Sequence, residues 1–202
     1  MAEESDAYNV FLDGARENAK DDNLLVAKRL IEMCPEKRGV EYYETACNIY
    51  RKLGMAHETV RAAQEAEARG LINTKVLRAH AFALMDLQRS EDAVKVFDRA
   101  IASDGDDANL YADRAVAKMN TGDWEGALKD IDTALKINPH KDVFYIRKGD
   151  IVARIEGIEK ALQFYKQALK ENPLNMEAHE RKDSAEAIIY KKMGEGDRAL
   201  FR

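Results

Sequence analysis

Four histidines, two cysteines and 37 carboxylates are the groups in this 202-residue chain able to move protons, bind metal or attack a substrate. A metal centre reads in sequence as ligands at short spacings, such as His-x-x-x-His on one helix face. His57, His80, His140 and His179 keep no such spacing, and Cys34 and Cys47 match no metal or redox motif. Both cysteines read as buried, reduced thiols of a cytoplasmic protein. There is no Gly-x-x-x-x-Gly-Lys-Ser loop to cradle phosphate and no Gly-x-Ser-x-Gly elbow to present a nucleophile. Carboxylates on amphipathic helices are ordinarily the wet face. The residue pattern therefore predicts no catalytic group, no metal and no cofactor, and a protein that is not an enzyme.

The composition points to the elements that carry these groups. Only 3 Pro and 11 Gly stand against 30 Ala, with 46% hydrophobic and 34% charged residues. Such a chain favours helix, and an all-β sandwich, which needs far more turn residues, is excluded. The 37 acids and 32 bases leave a net charge of −5. That suits solubility and argues against general nucleic-acid binding, which shows as a basic excess or stripe. No stretch approaches the roughly 18 uncharged apolar residues of a membrane span. The acidic, polar segment Met1 to Tyr8 reads as no signal peptide. A cytoplasmic location is expected.

The chain is also periodic. Shifted by 34 residues, it falls into blocks Val40–Asn73, Thr74–Asp107, Ala108–Lys141 and Asp142–Asn175 without a gap. The fourth slot reads Tyr43, Leu77, Tyr111, Tyr145, and the eighth is always small: Cys47, Ala81, Ala115, Gly149. The twentieth holds Thr59, Ala93, Ala127 and Ala161, and the twenty-seventh Ala66, Ala100, Ala134 and Ala168. Four alanines in one preselected slot would occur by chance about once in two thousand trials, so the repeat is real.

Each block reads as two helices. In the third, Leu110, Tyr111, Ala115 and Met119 keep helical spacing up to Gly122. Asp123 opens a second helix with Ala127, Leu128, Ile131, Ala134 and Leu135 inward, ended by Asn138-Pro139. The fourth block breaks at Gly157 and ends at Asn172-Pro173; in the second, Gly105 replaces the proline and predicts a left-handed cap. The small slots allow the two helices of a hairpin to approach closely. Glu58, Glu91, Glu125 and Glu159 fall near the starts of second helices, where negative charge suits the dipole. Trp124, at the turn of its block, reads as packing inside that hairpin. Ser5–Ala19 and Asn23–Cys34, followed by Pro35, form a degenerate first pair. Glu177 to Met193 forms a capping helix with Ala178, Ala185, Ile188, Ile189 and Met193 as its apolar stripe, and Asp183 in the slot otherwise small.

Tyr145, Gly149, Ala161-x-x-x-Tyr165 and Pro173, and nearly as well Tyr111, Ala115, Gly122, Ala127 and Pro139, resemble the tetratricopeptide repeat family. The resemblance covers about 136 residues in phase. It implies an all-α, right-handed superhelical solenoid of helical hairpins. Residues 1–202 would form one such solenoid: a degenerate repeat 1–39, repeats 40–73, 74–107, 108–141 and 142–175, a capping helix 176–193 and a tail 194–202.

In that family the first helices line a concave groove through the second, fifth, sixth, ninth, twelfth and thirteenth slots. The Val40 block places polar residues there, Glu41, Glu44, Thr45, Asn48, Arg51 and Lys52. The following blocks place Lys75, Arg78, Phe82 and Met85, then Ala112, Asp113, Val116 and Met119, then Val143, Ile146, Arg147, Asp150 and Arg154. The expected groove has an apolar centre (Phe82, Met85, Val116, Met119, Val143, Ile146) flanked by Lys75, Arg78, Arg147 and Arg154. Exposed apolar side chains on such a wall need a partner. The expected role is a protein–protein interaction module that docks a peptide or helix with apolar anchors and acidic flanks, with no nucleic acid and no membrane as partner. An alternative is a self-associating scaffold that uses its terminal helices or the apolar tail Ala199-Leu200-Phe201. The family's carboxylate clamp for chaperone tails would fall on Arg78, Phe82, Asp113, Val143 and Arg147. Only Arg147 matches outright, and Asp113 would repel the carboxylate, so chaperone-tail binding is disfavoured.

Overall fold

Asn73, Asp107 and Asn175 each close one 34-residue block, and each caps the helix that opens the next. Their side-chain oxygens accept from the backbone N–H of Val76, Asn109 and Ala178, which satisfies one of the donors a helix start leaves free. Lys141 cannot do this, and Asp142 serves instead, accepting from the Val143 N–H at 2.9 Å. The block boundaries are thus helix starts for a stated chemical reason.

The computed structural model describes residues 2–34 and 39–193. Pro35, Gly194 and the tail with Ala199-Leu200-Phe201 lie outside the described residues. Among those described there are eleven helices and no strand. The chain divides into two units, Met1–Gly105 and Asp106–Arg202. In the first, α1 (Ala2–Lys20) pairs with α2 (Leu24–Met33), α3 (Gly39–Lys52) with α4 (Ala56–Ala68), and α5 (Thr74–Asp86) with α6 (Ser90–Ser103). In the second, α7 (Ala108–Thr121) pairs with α8 (Trp124–Ile137) and α9 (Asp142–Ile155) with α10 (Ile158–Glu171), while α11 (Met176–Lys192) packs on α10 and α9. First helices also touch within a unit, α3 on α5 and α7 on α9. No described helix is long and apolar enough to cross a membrane.

The recurring small slots lie in the helix crossings. Ala66, Ala100, Ala134 and Ala168 are fully buried, as are Ala93, Ala127 and Ala161. Thr59 keeps the same slot in the first full repeat, because its hydroxyl donates to the Met55 carbonyl at 3.0 Å and leaves only a methyl-sized surface. At Gly149 even a methyl is too much: a Cβ there would overlap the ring edge of Tyr165. The Tyr165 hydroxyl is tied to Asp150 Oδ1 at 2.9 Å, so the ring has no easy retreat. Within the α7–α8 hairpin, buried Asp130 takes a bidentate grip from Arg114 (2.8 and 2.7 Å) and a third contact from Lys118 (2.9 Å).

Several local expectations are corrected. Gly105 does not form a left-handed cap: α6 ends at Ser103 with Asp104 at φ −146° and ψ 81° behind it, and the left-handed glycines are others, Gly122 among them at φ 83°. Cys34 is only partly buried, whereas Cys47 is fully buried and its thiol is pushed up to about 12 by that burial. Ile188 is not part of the packed stripe of α11 but exposed, and Ala178, Ala185 and Ile189 carry the contact. Glu58, Glu91, Glu125 and Glu159 do fall in the first turns of α4, α6, α8 and α10.

Two stability outcomes follow. Gly149→Ala should lower the urea midpoint by the equivalent of about 1–3 kcal/mol through overpacking. Gly122→Ala meets open space and should cost only about 1 kcal/mol, through its left-handed backbone. Equal losses would mean that close packing at Gly149 is not the constraint. His80 is buried with its Nδ1 unpartnered, and burial holds its pKa below the usual imidazole value. The unfolded chain then binds a proton from about pH 6.5 downward that the folded chain refuses. Stability should fall as pH drops from 7 through that range and level off below the folded pKa. His80→Leu should flatten the urea midpoint against pH, and an unchanged slope would remove His80 from the account.

Candidate partner-binding surface

The first helix of each hairpin carries the residues expected to line a groove. On α5, Lys75 is exposed and Arg78, Phe82 and Met85 are half-buried. Phe82 is held by the core: its ring meets buried Phe97 edge-on at 5.8 Å and 88°. The other side of its environment is cationic, with the guanidinium carbons of Arg78 and Arg51 at 5.6 and 5.8 Å from its centroid. Lys75 is answered by Glu44 at 3.2 Å, whose second oxygen accepts from the Asn73 amide.

On α7 and α9, Val116, Met119 and Val143 are half-buried, and Met119 packs against the core of its own hairpin. Two expected lining residues are not surface at all. Ala112 is 0% exposed and Ile146 1% exposed. Ile146 packs with Ala161, Leu162 and Tyr165 of α10 and with Ala178 and Ala185 of α11. Both occupy the fifth slot, which also holds polar Glu44 and Arg78. That slot lies on the seam between wall and core, and an apolar side chain there turns into the core because burial is favourable.

The basic flank is also altered. Arg147 reaches Asp113, which is 3% exposed, at 3.5 Å. The two stand one 34-residue period apart, in the same slot of neighbouring repeats. The position that would repel a ligand carboxylate has thus become the counter-ion of the clamp's one matching cation. Arg154 lies over the Trp124 ring, 5.7 Å from its centroid, in an open pocket lined by Gly122, Asp123, Glu125 and Ile155. Trp124 is therefore engaged by the next repeat and does not pack only inside its own hairpin. Asp150 is drawn upward from the ordinary carboxylate pKa by burial, and the Tyr165 hydroxyl and the Arg181 guanidinium at 3.1 Å oppose that shift. Sequence reading missed Arg51 as a site residue. Its slot was legible, but its approach to an aromatic ring 31 residues away was not.

His57 and His140 are exposed, His179 is half-buried and His80 is core, so they converge nowhere. Among the described residues no three His, Cys, Asp or Glu are grouped to hold a metal ion.

No protein-family model matches the chain. Over 90 residues it is 31% identical to the Hsp70-Hsp90 organizing protein of Triticum aestivum, a match covering 45% of this chain. The chain spans only 16% of the length of that curated relative. Among solved structures, it superposes on YrrB, described as a TPR protein with an unusual peptide-binding site, at a TM-score of 0.69. That match has 20% identity and covers 86% of this chain and 90% of the other. The second TPR domain of human RPAP3, solved in complex with the HSP70 peptide SGPTIEEVD, gives 0.51 at 24% identity, covering 55% of this chain and 92% of that domain. With a 34-residue register in phase and the helical hairpins that it builds, the chain has the fold of solved tetratricopeptide-repeat proteins.

Proposed function

We propose that the chain is a non-enzymatic adaptor whose first helices dock a peptide or helix of a partner protein. The division into a worn first repeat, four full repeats, a capping helix and a tail belongs to the same proposal. The observation that carries it is half-buried apolar side chains on the first helices of each unit: Phe82 and Met85 in the first, and Val116, Met119 and Val143 in the second. Each has a core-facing side and leaves the rest to water. Covering what remains of either set would contribute on the order of 2–3 kcal/mol gross. Association costs are of the same order or larger, so charged contacts must add to the apolar ones.

The similarity to an Hsp70-Hsp90 organizing protein and to a domain solved with an HSP70 peptide makes a chaperone tail the obvious candidate ligand, but the chemistry of this surface speaks against it. Asp113 already binds Arg147, the clamp's one matching cation. The peptide SGPTIEEVD should therefore show no saturable binding to the full chain by fluorescence anisotropy; saturable binding lost on Arg147→Ala would reverse this reading. For the docking surface itself, Met85→Glu with Val143→Glu should abolish binding to arrayed 12-residue peptides bearing two leucines, with helicity retained by circular dichroism. Undiminished binding would rule the surface out.

A second reading, self-association through terminal helices, is favoured by exposed Val10 on α1 and by Leu25 and Met33 on α2, which are 70%, 74% and 50% exposed. Static light scattering decides it. A concentration-dependent dimer that Leu25→Glu with Met33→Glu returns to monomer would support it, and a monomer at all concentrations would dismiss it.

A further inference from the structure

Among the described residues, the exposed large apolar side chains of the first unit all lie on its first hairpin: Val10 on α1, and Leu25, Val26 and Met33 on α2. Ala27 and Ile31 are fully buried and turn α2 inward. Helical periodicity then puts Leu25, Val26, Arg29 and Met33 on its outer side, and all four are exposed. The charges of this face are ordered along it. Glu17, near the end of α1, and Asp21, in the turn to α2, are exposed, and Arg29 follows Leu25 by one helical turn. None of these three has an ion-pair partner among the described residues. From the turn outward, the face therefore reads acidic, apolar, basic.

Such an order is complementary to itself once a second copy is turned end for end, which is what a two-fold contact requires. Two registers bring α2 against α2 in this way. An axis at Arg29 sets Leu25 against Met33 but places two arginines face to face. An axis at Leu25 sets that side chain against its counterpart, with Val26 beside it. Arg29, about 6 Å further along the helix, then stands opposite the acidic turn of the other copy. Juxtaposed like charges are costly and fix register, which favours the second arrangement. We propose that this face binds a second copy of the chain about a two-fold axis at Leu25, with Arg29 of each copy meeting Glu17 and Asp21 of the other. The proposal rests on the self-association reading above and narrows it to one isologous contact, with Val10 and Met33 outside its centre. Four apolar side chains fall short of the roughly 800 Å² per partner of a standard interface. The dimer is therefore reversible, with a Kd on the order of tens of micromolar.

Sedimentation equilibrium of the full chain across the micromolar range tests this, with helicity followed by circular dichroism in every variant. Arg29→Glu should weaken dimerisation roughly tenfold, since the two-fold axis counts each charge pair twice. Glu17→Lys with Asp21→Lys should weaken it similarly, and all three substitutions together should restore it by exchanging the signs. On mild oxidation Leu25→Cys should yield a covalent dimer, whereas Arg29→Cys and the wild-type chain, which has only Cys34 and Cys47, should not. A dimer indifferent to Arg29→Glu overturns this pairing, as does one that the combined variant fails to restore. A covalent dimer from Arg29→Cys but not from Leu25→Cys overturns it too, and each of these three outcomes leaves self-association through terminal helices standing. A monomer at every concentration overturns both and leaves the face to a partner of another kind.

Discussion

Close approach of two helices at a side chain no larger than a methyl is the constraint on which everything else in this protein depends. Helix axes settle at a separation set by the residues at their crossing, and here those residues recur every 34 positions. Once Ala66, Ala100, Ala134 and Ala168 are buried in the crossings, the orientation of each second helix is fixed about its own axis. Helical periodicity then decides which slots of the facing helix turn inward and which are left outside. Gly149 marks the tight limit, with Tyr165 filling the space that another residue's Cβ would take. Thr59 marks the tolerant one, a polar residue admitted because its own helix satisfies its hydroxyl. The candidate surface is what remains after that packing is complete.

Electrostatics works at the same spacing. Asp113 and Arg147 meet because a period of one repeat brings the same slot of neighbouring first helices together. Glu44 and Lys75, Glu67 and Arg99, and Glu159 and Lys192 repeat the theme at separations of 31, 32 and 33 residues. Exposed pairs of this kind add little to stability. Their effect is on recognition, since a cation already answered within the fold is a weaker bait for a ligand. Repeat-to-repeat pairing therefore decides which charges are already answered within the fold, Lys75 and Arg147 among them.

How much of this could be read from residues alone differs from place to place. The block boundaries were legible, because Asn73, Asp107 and Asn175 are good helix caps and stand at regular intervals. So were the helix starts marked by Glu58, Glu91, Glu125 and Glu159. Gly105 misled, since a glycine after a helix permits a left-handed cap without compelling one, and here it is not among the residues at positive φ. Ala112 and Ile146 misled for a deeper reason. A slot on the seam between wall and core has no fixed exposure; it is filled inward by an apolar side chain and outward by a charged one, and both kinds occur in the fifth slot of this chain.

By itself the sequence determined the repeat length, the helical class, the alanine and glycine crossings and the lack of any catalytic spacing, because each of these depends on residues close in the chain or at a constant offset along it. The tertiary structure alone decided what each candidate residue meets within the fold. That question turns on distances between side chains a whole repeat apart: Arg147 to Asp113, Arg154 to Trp124, Arg51 and Arg78 to Phe82. A period places such residues on neighbouring helices, but only packing sets whether a cation finds a carboxylate, an aromatic face or open solvent.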